Sequence, residues 1–220
     1  MCDVALERLI EGFRRFRKEH YTEEESPFTR LVREGQSPKV LLIACSDSRV
    51  DPAITLGSEA GDLFVIRNVA NLVPPCEHDS AQHGASAALE YAVRNLEVEH
   101  IVVKGHAHCG GIRALIDDPE AMRPDSDSFI KRWMSLAAPA YWRARERHPD
   151  ADDDLLAKEC EKDSVLLSLR NLETFPWVKE RMDAGKLKLH GWYFDLVEGE
   201  LSTYDPETKR FQPVPATADE

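Results

Sequence analysis

The chain has 220 residues, a length typical of one domain with a sizeable core, and we expect residues 1–220 to form a single domain. With 40 acidic and 28 basic residues it carries a net charge of −12, which disfavours nucleic-acid binding because phosphates repel an acidic surface. The N-terminus lacks the apolar stretch of a signal peptide, and the sequence has no run of 18 apolar residues for a membrane span. We therefore expect a cytoplasmic protein with no nucleic-acid or membrane partner.

Two helices are predicted ahead of the first strand. Residues 3–20 repeat apolar side chains at the spacing of an amphipathic helix. A capping-box pattern at Thr22 and Glu25 favours a short second helix over 22–33. The apolar face of the first helix can pack on the chain's own core or on another subunit, and the spacing leaves both open.

From residue 40 onward, short apolar strands alternate with helical segments. Strands are predicted at 40–44, 63–67, 100–104, 186–193 and 200–204. Helices are predicted from Pro52 and at 79–96, 112–116, 125–147, 152–173 and 175–184. This alternation predicts an α/β fold with a mostly parallel central β-sheet flanked by helices. The Pro-rich, acidic end at 212–220 is expected to be disordered.

Two of the predicted strands end in residues that carry chemistry. The stretch CSDSR, residues 45–49, follows the strand at 40–44. The stretch GHAHCGG, residues 105–111, follows the strand at 100–104 and opens a helix. Ligands of open α/β sheets bind beyond the carboxyl ends of the strands, so these two stretches predict the functional site.

The donor types at these two strand ends favour a metal ion. His106 and Cys109 are three residues apart, a spacing that lets both reach one point at a strand-to-helix turn, and Cys45 ends the other strand. Two thiolates and one imidazole suit Zn²⁺, and three protein ligands are the pattern of catalytic zinc. The alternative is that the cysteines are small buried apolar residues. The cysteines outside these stretches are interpreted as free thiols: Cys2, Cys76 and Cys160.

The two motifs together resemble those of the beta-class carbonic anhydrases. CSDSR and GHxxCGG, with RNVAN at 67–71 between them, carry a resemblance that runs from about Gln36 to Leu115. It continues more loosely through HGW at 190–192. His108 falls at a variable position of the family pattern, so the resemblance implies no metal-binding role for it.

The resemblance also implies roles for individual residues. It makes Cys45, His106 and Cys109 the zinc ligands, Asp47 and Arg49 the catalytic pair, and Gln36, Phe64, Val69 and Tyr91 the substrate-pocket residues. Some pocket residues would come from the partner subunit of a homodimer or larger even-numbered assembly, with a helical arm at 1–35 packed on the neighbour. Arg67 matches part of a bicarbonate effector site found in some members. Leu42 replaces the tryptophan of that site, so Arg67 is expected to be structural.

The predicted function is zinc-dependent, reversible hydration of carbon dioxide to bicarbonate and a proton. A zinc-bound hydroxide, oriented by the Asp47–Arg49 pair, would attack the substrate. One alternative is hydrolysis of carbonyl sulfide or carbon disulfide on the same fold, and the polar Gln36 argues mildly against it. The other is a non-catalytic, zinc-stabilised regulator, against which the intact Asp47–Arg49 pair and the open fourth zinc position argue.

Overall fold

A six-stranded β-sheet forms the centre of the structure, a computed structural model that describes residues 4–21, 26–77 and 82–215. The strands are β1 (Val40–Cys45), β2 (Leu63–Asn68), β3 (His100–His106), β4 (Lys188–Asp195), β5 (Glu200–Asp205) and β6 (Arg210–Pro213). Their order is β2-β1-β3-β4-β5-β6, with parallel pairing from β2 to β4 and antiparallel pairing from β4 to β6. The predicted α/β fold with a mostly parallel sheet is confirmed.

Helices precede the sheet and connect its strands. Those of the described residues are α1 (Val4–His20), α2 (Pro27–Glu34), α3 (Pro52–Thr55), α4 (Gly84–Glu90), α5 (Gly110–Asp117), α6 (Phe129–Met134), α7 (Ala138–Arg147), α8 (Asp153–Leu172) and α9 (Pro176–Asp183). A π-helical turn, Tyr91–Asn95, continues α4. Within these described residues, no helix combines the length and the apolar composition needed to cross a membrane.

Two helices in the first half of the chain begin later than the sequence predicts. The helix α2 starts at Pro27, and the side chain of Ser26 caps it by accepting the N–H of Thr29. The predicted start at residues 22–25 lies outside the described residues. The helix predicted over 79–96 starts at Gly84, and the predicted start at residues 79–81 also lies outside the described residues.

The helix predicted over 125–147 is wrong as a single element. It begins only at Phe129 and is interrupted by a 3₁₀ turn at Ser135–Ala137, after which α7 starts with Pro139 in its first turn. Proline has no N–H to donate to the preceding turn and fits only at the start of a helix.

The disordered tail predicted over 212–220 is wrong for Gln212 and Pro213, which end strand β6. The turn before that strand is held by Asp205, whose carboxylate accepts the N–H of Glu207 and the hydroxyl of Thr208. This local hydrogen bonding closes a hairpin that the Pro-rich composition hides. Residues 216–220 lie outside the described residues.

The core lies mainly between the sheet and the helices that cover one of its faces. Buried side chains of β1 and β3 pack there with residues of α4, α8 and α9, among them Leu41, Ile43, Leu89, Ile101, Val103, Val165, Leu172 and Val178. A second apolar cluster joins α5, α7 and α8 beyond the strand ends. Each fully buried aliphatic side chain contributes about 1.5–3 kcal/mol, so this packing fixes α8 against β3 and β4.

The N-terminal helix α1 stands away from this core. None of its residues is buried against the described part of the chain, and five of its apolar side chains are exposed: Val4, Leu6, Leu9, Ile10 and Phe13. Phe16 ties α1 to α2, because its ring lies 4.8 Å from that of Phe28 between centroids. The apolar face predicted for this helix is therefore not covered by the chain's own core.

The close contact of β3 with α8 makes a prediction about stability. A Cβ at Gly105 would lie 2.6 Å from Cγ2 of Val165, so Gly105→Ala forces the strand and helix apart. We expect this overpacking to lower the free energy of unfolding by about 1–3 kcal/mol in denaturant titrations. Gly84→Ala is the matched control, because a Cβ there meets no described heavy atom within 4 Å. Equal stability of the two variants would contradict the packing described.

Candidate metal centre and active site

Three side chains meet where β1 and β3 end. Cys45 is the last residue of β1, His106 is the last of β3, and Cys109 lies in the turn that opens α5. Their ligand atoms lie within 4.8 Å of one another, and all three residues are buried. The structure thus brings together the three ligands predicted from the sequence, whereas the side chain of His108 is exposed and outside this group.

The ring of His106 is oriented for metal binding through one nitrogen. Its Nδ1 lies 2.8 Å from the carbonyl oxygen of Ala107, and because a carbonyl can only accept, Nδ1 carries the proton. Nε2, which has a free lone pair in the neutral ring, is buried and without a hydrogen-bond partner among the described residues. Buried nitrogens are rarely left without a hydrogen bond. Histidines that bind a metal through one ring nitrogen typically donate the N–H of the other ring nitrogen to an acceptor such as a backbone carbonyl.

The two sulfurs of the cluster are electrostatically coupled. The hydrogen bond with Cys109, assisted by the ring of His106, lowers the pKa of Cys45. The same contact with Cys45, together with burial, raises the pKa of Cys109. Metal ions bind the thiolate form and displace the thiol proton, so a divalent cation would relieve this coupling. Two sulfurs and one imidazole nitrogen within this distance fit zinc.

The Asp47–Arg49 pair lies directly after β1. Nε and Nη2 of Arg49 donate to the two oxygens of Asp47 at 3.0 and 2.6 Å, and the backbone N–H of Arg49 donates to Oδ1 at 2.9 Å. These bonds from Arg49 hold the pKa of the Asp47 carboxyl well below its usual range. The carboxylate is therefore ionised throughout the neutral range and fixed in one orientation.

Arg67 braces the backbone around this pair. Its Nε donates to the carbonyl of Cys45 at 2.9 Å and its Nη2 to the carbonyl of Asp47 at 2.7 Å. Its Nη1 lies 2.6 Å from Oδ2 of Asp51, which also caps α3. With all three nitrogens engaged, Arg67 has the structural role expected from the sequence.

A buried acid, Glu161 of α8, reaches the metal turn and was not found from the sequence. Its Oε1 accepts the N–H of Cys109 at 2.9 Å, and its Oε2 accepts the hydroxyl of Tyr193 at 2.8 Å. Burial raises the pKa of its carboxyl, although both hydrogen bonds oppose that shift. The sequence pointed to Glu161 only as one carboxylate on the side of α8 that also carries Cys160, Ser164 and Val165.

Of the predicted pocket residues, one chain brings only Val69 beside the cluster. Val69 follows β2 and packs against the apolar residues around Cys45. Phe64 is level with Leu41, four residues before Cys45, and its ring centroid lies 5.8 Å from that of Tyr91. Gln36 is exposed and precedes β1, at the opposite end of that strand. A pocket of about 580 Å³ opens next to Val69, lined by Ile66, Ala85, Phe129, Ile130 and Trp133 among others.

Comparisons with known proteins agree with this geometry. The family model for carbonic anhydrase matches residues 40–201. The chain is 38% identical over 215 residues to beta carbonic anhydrase 3 of Arabidopsis thaliana, covering 97% of this chain and 81% of that protein. It resembles the structure of the beta-carbonic anhydrase CcaA with a TM-score of 0.87 at 34% identity, covering 97% and 94% of the two chains. A tetrameric beta-carbonic anhydrase of Sordaria macrospora gives a TM-score of 0.70 at 27% identity, covering 91% and 93%.

The cluster predicts a metal content. We expect about one zinc per chain, and Cys109→Ser should lose it because a hydroxyl does not replace a thiolate ligand. Elemental analysis of the purified proteins measures this loss. Cys76→Ser is the control, because Cys76 is only partly buried and lies outside the cluster. Stoichiometric zinc in Cys109→Ser, or its loss from Cys76→Ser, would contradict the assignment.

Proposed function

The chain belongs to the beta-class carbonic anhydrase family of enzymes, and we propose that it hydrates carbon dioxide reversibly with zinc held by Cys45, His106 and Cys109. The observation that carries the zinc assignment is Nε2 of His106, which is buried beside two sulfurs with no hydrogen-bond partner among the described residues. Three donors of this kind are one fewer than a closed structural zinc site contains.

Zinc at these residues would supply Lewis-acid activation of water near neutral pH. The chain's own contribution is to orient that water. Asp47 is ionised and can therefore only accept hydrogen bonds. A water that donates one of its hydrogens to Asp47 has an oxygen lone pair directed away from the carboxylate. Arg49 occupies both oxygens of the carboxylate and prevents it from rotating. The pair thus selects one orientation of the nucleophile.

The neighbouring pocket supports a small apolar substrate. Its walls beside Val69 are formed mostly by aliphatic and aromatic side chains. Trp133 closes one side by donating its Nε1–H to the carbonyl of Val69 at 2.8 Å, which fixes the indole in place. Carbon dioxide has no net dipole and loses little by leaving water for such surroundings.

We infer that the active unit contains two copies of the chain. Gln36 precedes β1 and Cys45 ends it, and a strand of six residues spans about 20 Å, so Gln36 is far from the cluster of its own chain. Phe64 and Tyr91 pack on each other near the opposite end of the sheet. A second copy is the source that would bring these three residues to the zinc site. The tetrameric Sordaria relative supports this assembly.

Carbon dioxide hydration by the zinc-loaded protein is the test of the proposed reaction. We expect stopped-flow pH-indicator assays to show turnover in the wild type and loss of most of it in Arg49→Ala, with zinc retained in both. The loss follows because the carboxylate of Asp47 is no longer held. Arg49→Lys is the matched variant: it keeps the charge but lacks the planar two-pronged donor, so it should restore little activity.

Two other outcomes would contradict the proposal. Faster turnover of carbonyl sulfide or carbon disulfide than of carbon dioxide, measured side by side, would identify the protein as a hydrolase of those substrates. A zinc-loaded wild type that turns over none of them would indicate a zinc-stabilised regulator.

The cytoplasmic location expected from the sequence stays a prediction.

The exposed apolar face of α1 makes a prediction about assembly. Replacing Leu9 and Phe13 together by Asp should convert the dimer to monomers and remove activity, because the arm would no longer pack on the partner. Light scattering at the assay concentration measures the mass. Glu11→Ala on the same helix breaks only an exposed ion pair with Arg14, worth at most about 1 kcal/mol, and should stay dimeric. A fully active monomer would rule out the shared site.

A further inference from the structure

The peptide group between His108 and Cys109 is held from both sides. Its carbonyl, on His108, accepts a hydrogen bond from Nη2 of Arg49 at 3.0 Å. Its N–H, on Cys109, donates to Oε1 of Glu161 at 2.9 Å. The carbonyl and N–H of a trans peptide point in opposite directions, so Arg49 and Glu161 act on opposite sides of the metal turn.

The backbone at this turn needs such support. His108 has a φ of 56°, in the left-handed region that residues with a side chain rarely adopt. A residue held in that region persists only when its surroundings fix it. Rotation of the peptide group would withdraw the N–H from Glu161 and the carbonyl from Arg49 together. The two hydrogen bonds therefore select one orientation of this peptide.

Glu161 is itself rigidly placed. It is 3% exposed on α8, and its second oxygen accepts the hydroxyl of Tyr193 on β4 at 2.8 Å. The backbone of Gly105, level with Tyr193, allows α8 to approach β3 closely at this point. A buried carboxylate is unfavourable unless both oxygens are bonded, and here both accept from donors on other elements.

We propose that Glu161 is a positioning residue for the reaction, fixing the His108–Cys109 peptide and through it both the Cys109 ligand and the Arg49 that holds Asp47. This inference rests on the proposed function of the same site. Among the described residues, the hydrogen bonds of the Glu161 carboxylate go to Cys109 and Tyr193, and none goes to Cys45 or His106. Glu161 acts on Arg49 through the His108–Cys109 peptide group, whose N–H donates to Glu161 and whose carbonyl accepts from Arg49.

The proposal predicts linked losses in metal binding and turnover. Removing a partner of this kind from a metal ligand typically lowers metal affinity or activity by about 10–100-fold. We expect the losses in Glu161→Leu and Glu161→Asp to lie in that range. The aspartate variant loses activity because its shorter side chain cannot reach the N–H of Cys109. The fall should lie in kcat rather than KM, because the pocket beside Val69 is untouched.

The conservative variant and a control separate positioning from general stability. Glu161→Gln keeps an oxygen that accepts the N–H of Cys109, so it should recover most of the wild-type kcat. Asp163→Asn is the matched control: Asp163 is another buried acid of α8, and its side chain pairs with Arg147, away from the metal turn. It should lower stability while leaving zinc retention and kcat at the wild-type level.

The experiment measures three quantities on each purified protein. They are kcat and KM for carbon dioxide hydration, the rate of zinc transfer to a chromophoric chelator, and the absorption of the Co²⁺-substituted protein in its thiolate and d–d bands. We expect Glu161→Leu and Glu161→Asp to release zinc faster and to shift the cobalt bands. Glu161→Gln and Asp163→Asn should give wild-type spectra.

The cobalt spectrum and the zinc release rate test the inference independently of the reaction. Were the wild type inactive toward carbon dioxide, the proposed function would fail while these two readouts still decided the role of Glu161. Wild-type spectra, zinc release and kcat in Glu161→Asp would overturn the inference. Equal losses in Glu161→Asp and Asp163→Asn would also overturn it, because the effect would then be one of stability. Should Glu161→Leu fail to fold, the aspartate and glutamine variants give the same comparison.

Discussion

The parallel pairing of β1 with β3 places two metal-binding side chains at one edge of the sheet. Ala44 lies level with Lys104, so the hydrogen bonds of the strands set the spacing of the residues that follow, Cys45 and His106. Cys109 joins them because the chain turns sharply into α5. A Cβ at Gly111 would lie 2.7 Å from Cγ1 of Val69, so glycine allows that close approach. Strand pairing and the turn into α5 thus bring the three ligand residues together, and side-chain contacts then fix their orientation.

The polar groups around the cluster are connected to one another by hydrogen bonds. Arg67 holds the carbonyls of Cys45 and Asp47, and the Arg49 guanidinium links Asp47 to the metal turn. Satisfied networks of this kind are rigid, because each member loses energy if it moves alone. Among the described residues, Nε2 of His106 breaks the pattern as a buried nitrogen without a partner. The rigidity of the network, and the position of the unpaired Nε2 of His106 beside two sulfurs, are what suit the site to hold a metal.

The sequence was sufficient for the parts of the site that lie at strand ends. Apolar runs followed by CSDSR and GHAHCGG predicted where the ligands meet, and the family resemblance is confirmed by the comparisons. Glu161 was missed because apolar spacing does not show which residue of a 20-residue helix faces a turn 52 positions earlier. The break before α7 depends on Pro139, and the hairpin to β6 depends on the hydrogen bonds of Asp205. The spacing of apolar residues does not show such local effects of single residues. The roles of Gln36, Phe64 and Tyr91 stay predictions, since they require contacts between two chains.

The proposed function depends on zinc bound by two sulfurs and one imidazole nitrogen, those of Cys45, Cys109 and His106. X-ray absorption at the zinc K-edge of the purified protein identifies these ligands. We expect two sulfur scatterers at about 2.3 Å and light-atom ligands, including a ring nitrogen, at about 2.0–2.1 Å. A shell of four sulfurs, or of nitrogen and oxygen alone, would contradict it.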